Sequence, residues 1–179
     1  MIGTRPDVTV LPLRVEDAER YFEGLQYMAS EFGIDTVHAY PTIEAVHHSI
    51  VTPPNPRRER YGIWLHDGAH NDGFAGSINL TPQEPDDCRP RLGEVGYWLD
   101  RRYVGRGVMT VAVRAIAHYG LHVRQPHYDE IIAHVLPGNG KSQRVLARAG
   151  FVLYATAPKD LYYRLAADSD ESPRAVIAP

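Results

Sequence analysis

Apolar positions along the chain alternate with a period of two in some stretches and recur every three or four residues in others. The switches between these periods divide it into elements. Residues 9–13 alternate and predict a first strand leading to Arg14. Glu16 and Asp17 then open an amphipathic helix with Ala18, Tyr21, Phe22 and Leu25 on one face. Ile43, Val46 and Ile50 define a second helix over residues 42–50, which Pro53, Pro54 and Pro56 stop. Residues 61–66 and 74–80 read as strands joined by a polar, glycine-bearing loop at 67–73. Residues 81–91 carry three prolines and mixed charge and predict a surface loop before a strand at 92–99. Val108, Ala112, Val113, Ile116 and Ala117 share the stripe of a helix running to about Gly120. A buried-type strand follows at 129–136. Asn139 caps a short helix whose apolar side is Val145, Leu146 and Ala149, and Gly150 suits the position just after it. Strands at 151–156 and 161–165 close the series. The order β α α β β β α β α β β predicts a single mixed α/β domain over residues 1–166, with 167–179 as a disordered tail.

One junction in this series carries chemistry. Between the strand ending at Leu99 and the helix starting at Val108 lies Arg102-Tyr103-Val104-Gly105-Arg106-Gly107. Two glycines one residue apart, placed between a strand and a helix start, let backbone N–H groups approach an anion unobstructed, and the helix N-terminus adds unpaired donors and partial positive charge. The spacing excludes a P-loop, since no Gly-Lys-Ser/Thr stands at the required distance from these glycines. It also excludes a dinucleotide fingerprint, which opens a βαβ unit rather than following a meander.

Composition narrows the field further. The chain has 179 residues, enough for one domain with a full core, and its 44% hydrophobic and 23% charged content is that of a soluble globular protein. A net charge of −3 gives no basic field for nucleic acid. Cys88 is alone, so neither a disulfide framework nor a cysteine metal site is expected. No run is apolar enough to span a bilayer, and Met1–Pro6 lacks a signal core, so the expectation is a cytoplasmic protein. Nine histidines are present, but His118 and His122 lack the intervening Glu of a zinc helix, and no metal is expected.

Four segments together resemble the GNAT acyltransferase superfamily, in particular its RimJ/RimL-like N-acetyltransferase branch. They are Gly93-Glu94-Val95-Gly96-Tyr97-Trp98-Leu99, then 102–110, then Pro137-Gly138-Asn139-Gly140-Lys141-Ser142, then Ala149-Gly150-Phe151. The resemblance covers roughly residues 8–166. It implies a mixed, mostly antiparallel central sheet of six to seven strands, splayed at the middle and flanked by about four helices. Acetyl-CoA would bind as cosubstrate where two strands splay. Arg102, Val104, Gly105, Arg106, Gly107, Val108, Met109 and Thr110 would cradle its pyrophosphate. The strand edge at Tyr97, Trp98 and Leu99 would pair with the pantetheine arm, and Asn139 and Ser142 would contact that arm. Arg144 or Arg148 could reach the phosphates. The resemblance is compatible with a homodimer, which no residue demands.

Acyl transfer to an amine needs a base for the amine proton, a donor for the oxyanion and a proton for the departing thiolate. Glu94 is the candidate base. Alternation sets it on one strand face with Gly96 and Trp98, opposite Val95, Tyr97 and Leu99. A backbone N–H near Leu99 is the candidate oxyanion donor. Many members of the superfamily supply the thiolate's proton from a tyrosine whose place here is taken by Leu146. Resemblance to the RimL-like branch implies Ser142, the third position after Asn139, as the candidate proton donor, with Tyr154 a distant alternative. The expected reaction is transfer of acetyl from acetyl-CoA to a primary amine, most naturally the N-terminal amine of a ribosomal-type protein. A small-molecule amine, a succinyl or other acyl donor, or a non-catalytic acyl-CoA sensor are the alternatives.

Overall fold

The computed structural model describes residues 7–32, 40–66, 73–83, 91–167 and 176–177. Eight strands form one sheet in the order β6-β7-β5-β4-β3-β2-β1-β8. Strands β1 (Asp7–Pro12), β2 (Glu59–His66), β3 (Phe74–Pro82) and β4 (Leu92–Leu99) pair antiparallel in sequence order, with two helices, α1 (Ala18–Phe32) and α2 (Ile43–Val51), inserted between β1 and β2. Helix α3 (Val108–His118) then crosses over to β5 (Glu130–Val135), which lies parallel to β4. Helix α4 (Gly140–Arg148) follows, and the far side is completed by β7 (Leu161–Ala166), antiparallel to β5, and β6 (Val152–Thr156), antiparallel to β7.

Two cores sit on opposite faces of the sheet. Val108, Ala112, Val113 and Ile116 of α3 and Leu146 of α4 pack on Val10, Ile63, Ile78, Val95 and Ile131. Burying each such branched side chain contributes on the order of 2 kcal/mol. The other face carries Ala18, Tyr21 and Leu25 of α1 with Val46 of α2 against Phe74, and Trp64 and Trp98 pack at its margin. α1 and α2 therefore cover β2–β4, and among the described residues the same face of β5 and β7 carries the buried Ile132 beside the half-buried Tyr162 and the exposed His134 and Arg164.

Local signals account for most element ends. The Asp17 carboxylate accepts from the Arg14 amide at 2.9 Å where the first helical turn opens. Thr42 caps α2 by accepting from Ala45 N at 3.2 Å. The helix expected to reach Gly120 keeps its α-helical bonding only to His118 and continues as a wider turn over Tyr119–Val123. Gly120 is wedged against Ile131, Leu80 and Tyr128, and its carbonyl accepts from Tyr128 N at 2.8 Å. Part of the expected 81–91 loop is strand, since β3 runs through Pro82; residues 84–90 lie outside the described residues, as do 67–72 of the other expected loop. Seven strands form the expected sheet. The eighth, Val176–Ile177, adds a two-residue parallel pair to β1 within the segment expected as a disordered tail.

Gly76 marks the tightest approach between β3 and β4, where an added Cβ would run into the Trp98 carbonyl oxygen. Gly76→Ala is expected to cost about 2 kcal/mol or more, because main chain rather than a pliable side chain must move. Thermal or urea unfolding checks this, and an unchanged midpoint would contradict it.

Candidate functional site

Strands β4 and β5 start together and then part. Their register pairs are Leu92↔Glu130, Gly93↔Ile131 and Glu94↔Ile132, and pairing stops there although β4 continues to Leu99 and β5 to Val135. Which main-chain groups face this fork follows from the bonds at the strand ends. Asp100 N donates to Ala75 O at 2.8 Å and Gln83 N to Leu92 O at 2.9 Å, so the even-numbered residues of β4 point their amides and carbonyls at β3. The odd ones point at β5. Past the last pair, Tyr97 and Leu99 present their main chain to the fork. On β5, Ala167 N donates to Asp129 O, so the odd residues serve β7 and His134 faces the fork.

The glycine turn lies at the open end. Gly105 and Gly107 have φ of 85° and 80°, a region that other residues enter at a cost, and nothing lies within 4 Å of where a Cβ would stand on either. Gly107 is the N-cap of α3 and its carbonyl takes the first helical bond, from Val111 N at 3.2 Å. The first-turn amides of Val108, Met109 and Thr110 thus precede the i→i−4 ladder and point along the positive end of the helix. The side chains of Val108 and Met109 are buried, so these residues offer only backbone.

Two expected members of the cradle are placed elsewhere. The Val104 amide is committed to Arg101 O at 3.3 Å, closing the short turn Arg101–Tyr103. The Arg102 guanidinium is held by Asp100, with Nη2 to Oδ2 at 2.8 Å and Nε to Oδ1 at 3.1 Å, and this bond keeps it protonated even more firmly than usual. Arg106 lies exposed with its guanidinium 5.8 Å from the Tyr103 ring centroid. Lys141 and Arg144, both exposed, stand on the first turns of α4.

Strand alternation sorts the remaining candidates by face. Trp98 points into the α1 side, edge-on to Tyr21 with centroids 5.9 Å apart and 6.0 Å from Phe74. Its main chain faces β3, so Trp98 does not join Tyr97 and Leu99 at the fork. Its indole Nε1 is buried with no hydrogen-bond partner among the described residues. Room for the ring comes from Gly24, where a Cβ would collide with it. Tyr97 points to the opposite face, and its hydroxyl lies 2.6 Å from Ser142 Oγ across the fork. Ser142 is held in turn by α4, since Asn139 Oδ1 accepts from Ser142 N at 3.1 Å. Asn139 is thereby occupied as a cap through its oxygen, leaving its amide nitrogen for a ligand. Burial pushes the Tyr97 hydroxyl up to about 12, against the smaller opposite effect of the Ser142 hydrogen bond. Leu146 is fully buried in the core, and Tyr154 stands on β6, two strands from the fork. Tyr97 is thus the phenol the site offers. The sequence marked it only as strand edge, because nothing local links two residues 45 apart.

Glu94 shares the face of Trp98 and sits at the closed end of the fork. Its Oε2 accepts from Gln83 Nε2 at 2.8 Å, and its Oε1 faces His134 Nδ1 at 3.8 Å. A carboxylate on one face and a hydroxyl pair on the other, flanking a slot of open main chain, is an arrangement able to remove a proton on one side of a bound group and return one on the other. His118 and His122, whose ring centroids are 5.0 Å apart, lie at the far end of α3. Among the described residues no group of three or more His, Cys, Asp or Glu could hold a metal ion, and no helix is long and apolar enough to cross a membrane.

The model of the acetyltransferase (GNAT) domain matches residues 7–152. The chain belongs to the GNAT acetyltransferase family. It is 32% identical over 163 residues to "Probable N-acetyltransferase YjcK" of Bacillus subtilis (strain 168), covering 86% of this chain and 85% of that one. Over 157 residues it is 35% identical to "Putative ribosomal N-acetyltransferase YdaF" of the same organism, covering 87% and 83%. Among solved structures it shares the fold of RimL, a ribosomal L7/L12 alpha-N-protein acetyltransferase in complex with coenzyme A. That match has a TM-score of 0.72 at 17% identity and covers 95% of this chain and 98% of that one. A GNAT member is an N-acyltransferase, and the parting of β4 from β5 is where this one has open main chain.

The Tyr97 shift gives a pH prediction. Its value in the fold lies above the 10.0 of a free phenol, so the neutral hydroxyl is favoured by folding. That contribution is complete below pH 10 and is lost as pH climbs through about 12. In an alkaline absorbance titration, the difference between wild type and Tyr97→Phe should develop near pH 12. A difference completed near pH 10 would contradict the buried hydroxyl.

Proposed function

We propose that this protein transfers the acetyl group of acetyl-CoA to a primary amine, and that the amine is a protein N-terminus of the ribosomal-protein kind. The observation that carries this reading is the open main chain of Tyr97 and Leu99 in line with the glycine turn. An arm anchored by phosphate at the amides of residues 105 and 107–110 would run along β4 as an added strand, in the manner of strand augmentation. Leu99 adjoins the turn, and Glu94 lies five residues further in, about 17 Å along an extended strand. The far end of the arm, with its thioester, belongs at the closed end. The oxyanion donor then moves from the neighbourhood of Leu99 to the Tyr97 amide, the nearer of the two to Glu94.

The chain's own groups divide the chemistry. Glu94 provides the basic carboxylate for the amine proton, held by Gln83. The Tyr97 amide supports the oxyanion. Ser142, with Tyr97 behind it, gives a proton to the departing thiolate. The open slot between the proton-removing and proton-giving faces favours turnover over a silent acyl-CoA sensor. The named ribosomal relatives support a protein N-terminus over a small amine. A single cysteine fits a cytoplasmic location, and a homodimer is compatible with the same reading.

Thiol release from acetyl-CoA, measured against peptides with free N-termini, a polyamine and an aminoglycoside, tests the reading directly. Release should be fastest with an N-terminal peptide, and no release with any amine would overturn enzyme function. In Glu94→Gln, kcat should fall by about 100-fold with acetyl-CoA affinity by calorimetry unchanged. Wild-type turnover in that variant removes Glu94 from the mechanism.

A further inference from the structure

We propose that His134 is the group that first receives the acceptor amine's proton, with Glu94 behind it as the carboxylate that orients and charges it. This deepens the acetyl-transfer reading and rests on it. His134 is two residues past the last β4–β5 pair and on the same face as Glu94, so it stands nearer the open part of the fork. Its Nδ1 faces Glu94 Oε1 at 3.8 Å, and its ring lies against the Tyr162 ring with centroids 4.7 Å apart at 66°. The imidazole is therefore held between a carboxylate and an aromatic edge, as a base is held by an orienting partner. A proton on Nδ1 directed at Glu94 leaves the Nε2 lone pair turned away from it, and the His134 side chain is 40% exposed and open to an incoming amine. The Glu94 carboxylate is also constrained, because Gln83 fixes its other oxygen.

Among the described residues of β5, β6 and β7, the other charged and titratable groups on this face besides Tyr162 are Glu130, paired with Arg164 at 3.8 Å, and Tyr154, with Arg164 over its ring at 5.5 Å. Arg164 is thus held toward Glu130 and Tyr154, and Glu94 is the carboxylate that meets the imidazole.

The step balances as follows. The acceptor arrives as an ammonium ion; its N–H bond breaks and the proton joins His134 Nε2, giving an imidazolium facing the Glu94 carboxylate. The freed lone pair forms the N–C bond at the thioester carbonyl, and the carbonyl π pair moves to oxygen. When that pair returns, the C–S bond breaks and sulfur takes a proton from Ser142. The tetrahedral nitrogen gives up its second proton to water, the Ser142–Tyr97 pair is reprotonated from solvent, and His134 releases its proton to water.

The experiment uses the amine that turns over fastest in the panel above. His134→Ala should lower kcat/KM for that amine by about 100-fold, with acetyl-CoA affinity unchanged. Added imidazole should restore part of the loss in His134→Ala and none in Glu94→Gln. His134→Gln should show the same loss, and it serves if the alanine variant fails to fold. The double variant of His134→Ala with Glu94→Gln should be no slower than the worse single one, because the two act as a unit. Wild-type kcat/KM in both His134 variants overturns this proposal and leaves Glu94 as the direct base. Absence of turnover with every amine overturns the acetyl-transfer reading beneath it.

Discussion

Backbone hydrogen bonding inside a sheet is close to obligatory, and the molecule is organised around one place where two neighbouring strands stop doing it. β4 and β5 are tied at Glu94↔Ile132 and held on their outer sides by β3 and β7. Beyond that pair neither can turn to the other, because each is fixed by its remaining partner. The donors and acceptors of Tyr97 and Leu99 are left pointing into a slot. A slot lined by main chain accepts a ligand with amide groups of its own, spaced like a strand. The glycine turn ends the slot with a set of amides that suit an anion. Fold and cosubstrate are linked by this one unmet demand for hydrogen bonds.

Strand alternation then decides what stands on either side of the slot. Even positions of β4 bring Glu94 and Trp98 to the α1 side; odd positions bring Val95, Tyr97 and Leu99 to the α3 and α4 side. The result is a separation of proton traffic. Carboxylate and imidazole lie on the face open to an incoming amine, where α1 and α2 no longer cover the sheet. The Tyr97 and Ser142 hydroxyls lie on the other, where burial pushes the phenol up to about 12. In the proposed reaction a thioester between them would be approached by its nucleophile from one side and given its leaving-group proton from the other.

Much of this was legible in the sequence where the cause is local. The apolar stripe of α3, the Asn139 cap of α4 and the paired glycines before Val108 are set by neighbours a few residues away, and the structure places all three as expected. Periodicity also told the faces of β4 correctly. It could not tell which strand lies beside which, so contacts across the fork were out of reach. Tyr97 meets Ser142, and Glu94 meets His134, only because α3 carries the chain over to a parallel β5. Trp98 turns from the fork for a related reason: its main chain serves β3, which alternation along one strand does not reveal. Arg102 was within local reach, yet a cation beside a glycine turn and a cation clasped by Asp100 look alike in sequence.

The most direct measurement is a coenzyme A titration followed by backbone amide chemical shifts. If the slot and the turn hold one ligand, the amides of Tyr97 and Leu99 and those of Val108, Met109 and Thr110 will respond along a single saturation curve, while the amides of α1 and α2 stay still. Amides at the slot and turn that remain unmoved at millimolar coenzyme A, or a response confined to the helical face of Trp98, would contradict the account.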